Sequence, residues 1–209
     1  MANQVKCVII GSVPEEDEKL VREYAKNSYV ICADGGWDTA RRCGITPDLI
    51  VGDFDSVEGE LPKNVEVIRL STHKDDTDMM YAIKEGFRRG YMAFILIGAV
   101  GGERFDHSVA NLSALLFIAT HGGKGAIVSS ACEVFLITEG RLALTEMKGS
   151  TLSVFPFGGP FCTVSYQGLE YPLTRHSLYA NEPIGVSNRI VEDRAEIFLH
   201  EGNALVIVQ

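Results

Sequence analysis

Short apolar runs alternate with amphipathic stretches over the first two thirds of the chain, and after that only closely spaced apolar runs remain. Residues 5–10, 29–33, 49–51, 65–70 and 93–97 read as buried strands, with residues 126–128 and 134–137 completing the set. Between them, apolar positions recur every three or four residues: Leu20, Val21 and Tyr24; Met80, Ala82, Ile83 and Phe87; Val109, Leu112, Leu116 and Ala119. Ser12-Val13-Pro14-Glu15 has the spacing of a capping box and predicts the first helix start. A further helix is expected through Trp37 and Arg42. Stops fall near Lys26, Gly44, Gly90 and His121-Gly122. This alternation predicts an α/β domain with a mostly parallel, Rossmann-like sheet in three layers. After Thr138-Glu139-Gly140 the helical period disappears. Runs at 141–147, 151–155, 161–166, 196–199 and 204–208, separated by Gly, Pro and Asn, predict a small antiparallel β-sandwich. The expected domains are therefore residues 1–139 and 140–209, the second small for an independent core.

Composition narrows the function classes. A chain of 209 residues, 46% hydrophobic and 22% charged, is ordinary for a globular protein. A net charge of −9 with no basic stripe argues against nucleic-acid binding. The five cysteines are scattered, with no C-x-x-C pair, and four lie in apolar strand-like runs, which predicts core thiols in a reducing compartment. Nothing resembles a signal peptide or a membrane span, so a cytoplasmic protein is expected.

The candidate chemistry lies where the predicted strands end. In Pro47-Asp48-Leu49-Ile50-Val51-Gly52-Asp53-Phe54-Asp55-Ser56, extended backbone would put Asp53 and Asp55 on one face, and two aligned carboxylates repel without a cation. Asp34, the group Asp75, Asp76 and Asp78, and Asp106 occupy other strand-to-helix junctions. Singly, Asp76 reads as a helix cap, Asp34 as a turn residue and Asp106 as a first-turn acid. Converging on one sheet edge they point to Mg²⁺, which takes oxygen ligands and leaves room for substrate phosphates. Gly35-Gly36 and Gly101-Gly102 lie in the same kind of loop, where backbone N–H groups favour anions, and Lys74 and Arg104 add positive charge. The chain has no Walker A sequence, kinase catalytic loop, H-E-x-x-H or G-x-S-x-G. That leaves a nucleotide user outside the common kinase families, a metal-dependent hydrolase of nucleotides or phosphate esters, or a non-catalytic sensor. Ser12 reads as a cap and Ser56 as a loop residue. In the second domain Tyr171 interrupts the strand pattern and could expose its ring, while Ser187 and Asn188 either hold a ligand or make a turn.

Taken in order, Asp34-Gly35-Gly36, PDLIVGDFDS, Lys74-Asp75-Asp76-Thr77-Asp78 and GAVGGERFDH followed by Asn111 resemble the thiamine pyrophosphokinase family. GLEYPL and Val186-Ser187-Asn188 resemble that family's thiamine-binding domain. The resemblance implies transfer of a pyrophosphoryl group from ATP to thiamine, giving thiamine diphosphate and AMP, by a homodimer with a shared site. Carried over by motif, Asp34, Asp53, Asp55 and Asp78 would hold Mg²⁺ on the ATP phosphates. Lys74 and Arg104 would neutralise phosphate charge. Asp75, Thr77, Asp106 and His107 would line the transfer site, and Tyr171, Ser187 and Asn188 would face thiamine. Two departures stand out: Trp37-Asp38 replaces the family's common Ala-Asn, and Tyr171 stands where Trp is frequent. The full set of acids argues against a sensor, and the aromatic-bearing second domain against a plain hydrolase.

Overall fold

The computed structural model describes residues 5–15, 17–54, 60–71 and 75–209. The chain forms two compact units, one ending at Ser130 and the other beginning at Ala131. The first runs β1 (Cys7–Ile10), α1 (Glu18–Ala25), β2 (Tyr29–Ala33), α2 (Gly36–Arg42), β3 (Leu49–Gly52), β4 (Glu66–Arg69), α3 (Asp78–Arg88), β5 (Ala93–Ile97), α4 (Phe105–Thr120) and β6 (Lys124–Val128). Its strands are parallel in the order β6-β5-β1-β2-β3-β4. Every residue of β1 and β3 is buried, as a parallel sheet covered on both faces requires of its inner strands. At the edge, β4 exposes Glu66 and Arg69 at its two ends, which discourages further pairing.

From β1 the chain steps outward through β2, β3 and β4, then returns to lay β5 on the other side of β1. The strand order thus reverses between β1 and β5. In such sheets a crevice opens beyond the carboxyl ends of the strands at that point.

One local expectation fails here. Residues 12–15 form a loop and not a helix start: α1 begins at Glu18, capped by Asp17, whose carboxylate accepts from the N–H groups of Lys19 and Leu20. Glu15 is buried, and its carboxylate accepts from the N–H of Asp17 at 3.1 Å and of Ser130 at 3.1 Å. With both oxygens bound to these backbone donors, Glu15 serves the loop, and the next suitable residue becomes the cap.

The second unit holds β7 (Glu133–Ile137), β8 (Arg141–Thr145), β9 (Thr151–Pro156), β10 (Phe161–Gln167), β11 (His176–Tyr179), β12 (Asn188–Arg189), β13 (Arg194–Gly202) and β14 (Ala204–Val208). Two antiparallel sheets, β12-β9-β14-β7 and β11-β10-β13-β8, enclose a core that includes Leu152, Val154, Cys162, Val164, Ile197 and Val206. The division at Ser130 differs from the sequence reading at residue 139 because β7 pairs antiparallel with β14, from Ile137 opposite Ala204 to Glu133 opposite Val208. The strands β11 and β12 lack a sequence signal, since each buries a single residue, Leu178 and Asn188.

All five cysteines are free, and Cys7, Cys32, Cys43 and Cys162 are buried. Burial pushes the Cys7 thiol up to about 12 and that of Cys162 up to about 11. These are neutral packing groups, as expected of core thiols.

Candidate active site

A cavity of about 250 Å³ lies at the switch point of the first unit. Gly11, Ser12 and Gly98 form its wall at the ends of β1 and β5. Asp34 enters from the end of β2, Thr77 and Asp78 from the start of α3, and Arg104, His107 and Asn111 from the start of α4. Three strand ends and two helix starts therefore converge on one small volume.

Each of these side chains is placed by local chemistry. Asp34 adopts φ 47°, a left-handed conformation that Asp tolerates better than most residues. Its N–H still pairs with the Val51 carbonyl at 2.7 Å, so the chain turns immediately beyond the sheet and leaves the carboxylate at the edge. The turn feeds α2, whose first residue must be glycine: a Cβ on Gly36 would stand 1.9 Å from the Ile10 carbonyl oxygen. Gly36 thus packs a helix start against β1. Thr77 caps α3 by accepting from the Met80 N–H at 3.2 Å, and Asp78 follows as the first helical residue, where the helix dipole favours an acid. Asp76 is not the cap; it forms an ion pair with Lys84 at 2.7 Å.

Arg104 makes a forked contact with Asp106, at 3.0 and 2.7 Å. The guanidinium holds the Asp106 carboxyl well below the usual range, at about 2. Both side chains are about two-thirds exposed, at 65% and 66%. An ion pair so open to water is weak, so a polyphosphate reaching the cavity can compete for the guanidinium.

The structure thus brings together Asp34, Thr77, Asp78, Arg104 and His107 of the expected set. Others stand outside the cavity wall. Asp53 follows β3 and is partly buried, Asp75 is exposed, and Asp106 is engaged with Arg104. Gly35, Gly36, Gly101 and Gly102 do not line it either, and the Gly101 N–H is donated to the Ser108 hydroxyl. Asp55, Ser56 and Lys74 lie outside the described residues. Sequence reasoning passed over Ser12, read as a cap, and gave no role to Asn111. The available signal was helical spacing: His107 and Asn111 are four apart on α4 and share a face.

Comparison with known proteins decides the family. Residues 21–124 match the family model described as thiamin pyrophosphokinase, catalytic domain, and residues 141–203 match thiamin pyrophosphokinase, vitamin B1 binding domain. The chain belongs to the thiamin pyrophosphokinase family. Among similar proteins is thiamine pyrophosphokinase 1 of Oryza sativa, 25% identical over 197 residues, spanning 80% of this chain and 74% of the rice protein. The thiamine pyrophosphokinase of Bacillus subtilis is 22% identical over 183 residues, 85% of each chain. A crystal structure of the B. subtilis thiamine pyrophosphokinase superposes with a TM-score of 0.87 at 20% identity, covering 98% of both chains. That of thiamin pyrophosphokinase from Candida albicans gives 0.82 at 16% identity, covering 98% of this chain and 88% of the other. The fold is thus that of the family's solved structures.

In this thiamin pyrophosphokinase family member, the stretch matching the vitamin B1 binding model contains Tyr171, Ser187 and Asn188. Tyr171 exposes 63% of its surface. Asn188, by contrast, is buried and tied to the backbone: Oδ1 accepts from the N–H groups of Tyr171 at 3.0 Å and Arg189 at 2.8 Å, while Nδ2 donates to the Tyr171 carbonyl at 2.8 Å. Its amide braces the backbone of Tyr171. Ser187 adopts φ 60°, and its N–H donates to Ser153 Oγ at 3.1 Å. A serine–histidine contact in this unit, Ser165 Oγ to His200 Nε2 at 2.7 Å, does not make a hydrolase. The other ring nitrogen faces the Arg175 guanidinium at 3.4 Å, where a catalytic triad needs a carboxylate.

Proposed function

We propose that the chain transfers the pyrophosphoryl group of ATP to the hydroxyl of thiamine, giving thiamine diphosphate and AMP. The observation that carries this reading is the switch-point cavity, where Asp34 and Asp78 meet Arg104 and His107 inside the stretch that matches the family's catalytic model. In the reaction a bond forms between the thiamine hydroxyl oxygen and the β-phosphorus. The bond from that phosphorus to the α–β bridging oxygen breaks, AMP leaves, and the hydroxyl proton is released. Such transfer depends on in-line positioning and charge neutralisation more than on covalent help from the protein.

The acids present fit a magnesium site. Mg²⁺ is commonly held by one or two carboxylates, with water and substrate phosphates completing its shell. Asp34 and Asp78 supply two such oxygen donors to one cavity. Asp53 and Asp55 belong to the same proposed set. Bound there, the ion would neutralise polyphosphate charge and stabilise the leaving AMP. Arg104 orients and neutralises phosphate oxygens, with Lys74 proposed beside it. Thr77, His107, Asp75 and Asp106 border the reacting groups. Tyr171 offers its ring to the cationic thiazolium, with Ser187 beside it and Asn188 holding the tyrosine in place.

Homodimeric assembly and a cytoplasmic setting form part of the proposal; the five free cysteines support the second. Among the described residues no helix is long and apolar enough to cross a membrane. The test is a phosphorus NMR time course with protein, ATP and Mg²⁺, with and without thiamine. Thiamine-dependent appearance of AMP and thiamine diphosphate is expected. Phosphate release independent of thiamine would replace the reading with a hydrolase. Sedimentation at micromolar concentration tests the dimer.

A further inference from the structure

Between Gly98 at the end of β5 and Phe105 at the start of α4, the chain forms a loop that its own backbone scarcely supports. The Val13 N–H bonds to the Gly98 carbonyl at 3.1 Å, and the Phe105 N–H to that of Glu103 at 3.3 Å. The middle of the loop is held by side chains from α4. Ser108 Oγ accepts from the Gly101 N–H at 3.1 Å and donates to the Gly101 carbonyl at 3.3 Å, satisfying both polar groups of one residue. Asn111 Nδ2 donates to the Ala99 carbonyl at 2.7 Å. Gly101 itself adopts φ +93°, open to glycine but not to other L residues without strain. Ser108 and Asn111 are three apart on one face of α4, and each is only 8% exposed. Arg104, which reaches the cavity, is the residue that joins this loop to the helix.

We propose that Ser108 and Asn111 are positioning residues: they clamp the β5–α4 loop to α4 and so fix where Arg104 meets the phosphates of the nucleotide. The kinetic part rests on the functional reading above; the clamp itself does not. A polar residue here solves two problems at once. It satisfies backbone groups of the loop, and it makes loop geometry depend on the same helix that carries His107.

The first experiment is amide hydrogen exchange on the ligand-free protein. In Ser108→Ala, and in the similarly shaped Asn111→Leu, which has no donor for the Ala99 carbonyl, the Gly101 amide should exchange about tenfold faster. Amides of β5 should keep their rates. Unchanged loop exchange in both variants would overturn the clamp. If Ser108→Ala does not fold, Ser108→Cys, which keeps the shape but bonds weakly, carries the same expectation. Kinetics then read the positioning. Ser108→Ala should raise KM for the nucleotide about tenfold with KM for thiamine unchanged, and Ser108→Thr, which keeps the hydroxyl, should restore it. In an Arg104→Ala background Ser108→Ala should add less than about twofold, because the residue through which it acts is gone. Fully multiplicative effects, or equal rises in both KM values, would refute action through Arg104. A wild-type protein without thiamine-dependent turnover would sink the functional reading alone, since the exchange result stands without any substrate.

Discussion

The two units solve the display of functional side chains in opposite ways. The α/β unit gathers polar and charged side chains from three elements at one sheet edge: Asp34 after β2, Asp78 opening α3, and Arg104 and His107 around the start of α4. The sandwich presents the exposed ring of Tyr171 on irregular chain braced by the buried amide of Asn188. A parallel sheet does the gathering as a matter of topology, because all its strands end on the same side. An antiparallel unit sends alternate strand ends to opposite sides, so a site there has to be built by side-chain bonds to the backbone. Under the proposed function, charge chemistry would fall to the first unit and shape recognition to the second.

The widest test of that division compares Asp34→Asn and Asp78→Asn with Tyr171→Ala. Each acid variant keeps its shape, and asparagine tolerates the positive φ of position 34. We expect at least a hundredfold loss in kcat with thermal stability nearly unchanged. For Tyr171→Ala we expect KM for thiamine to rise about tenfold while kcat and KM for ATP hold. Steady-state kinetics with each substrate varied in turn check both. Near-wild-type turnover in either acid variant would break the division on the first side, and equal effects on the two KM values would break it on the second.

Asn188→Ala comes next. It removes three part-buried hydrogen bonds to the backbone of Tyr171 and Arg189, which costs about 1–2 kcal/mol. It should also raise KM for thiamine as far as Tyr171→Ala does, and the double variant should add little. Urea denaturation and the thiamine KM together check this. A large stability loss with unchanged KM would leave Asn188 a packing residue only.

The contrast also explains what could be read in the sequence. The parallel strands were legible because β1, β2, β3 and β5 are apolar almost without interruption, and the acids because strand-end chemistry stays contiguous with the strand that positions it. Strands β11 and β12 were not, since Leu178 and Asn188 are their only buried residues and no alternation survives. The same limit hid the role of Asn188, whose partner Tyr171 is 17 positions away. It also hid Glu15, which resembled half of a capping box yet binds the N–H of Ser130, 115 positions distant. Side chains that serve distant backbone leave no local period. Trp37, the departure from the family's usual turn, is 8% exposed and packs in the core with Val8, Ile10 and Cys32. Its size is explained by packing beside β1.

High pH separates the units by a smaller effect. The Cys7 thiol is raised to about 12 from an ordinary 9.0, chiefly by burial. A thiol raised on folding contributes stability that is complete below its unfolded value near 9.0 and is lost as pH climbs towards about 12. In urea denaturation, wild type should therefore lose on the order of 2 kcal/mol more than Cys7→Ala between pH 8 and pH 11. Parallel pH profiles for the two proteins would show that this thiol ionises no differently when folded. Cys162 in the sandwich should give a shallower version, since its thiol rises only to about 11.

The smallest expected effect lies in the sandwich core. Tyr166 is 4% exposed on β10, facing inward with Cys162 and Val164, and among the described residues its hydroxyl has no hydrogen-bond partner. Burial pushes its pKa up and so keeps the hydroxyl neutral, with Cys162 contributing in the same direction. A buried hydroxyl loses its water without recovering a bond, so removing it relieves a desolvation cost and leaves the ring contacts intact. Tyr166→Phe should accordingly be neutral or stabilising by up to about 1 kcal/mol, with thiamine KM unchanged, because the ring is core and not platform. Tyr171→Phe offers the matched control on the exposed ring, where the same deletion should leave stability within about 0.5 kcal/mol of wild type. The chemical edit is identical and only the environment differs. Destabilisation of Tyr166→Phe by more than about 1 kcal/mol would mean that its hydroxyl holds a partner in solution. The sandwich would then carry a second buried polar brace besides Asn188.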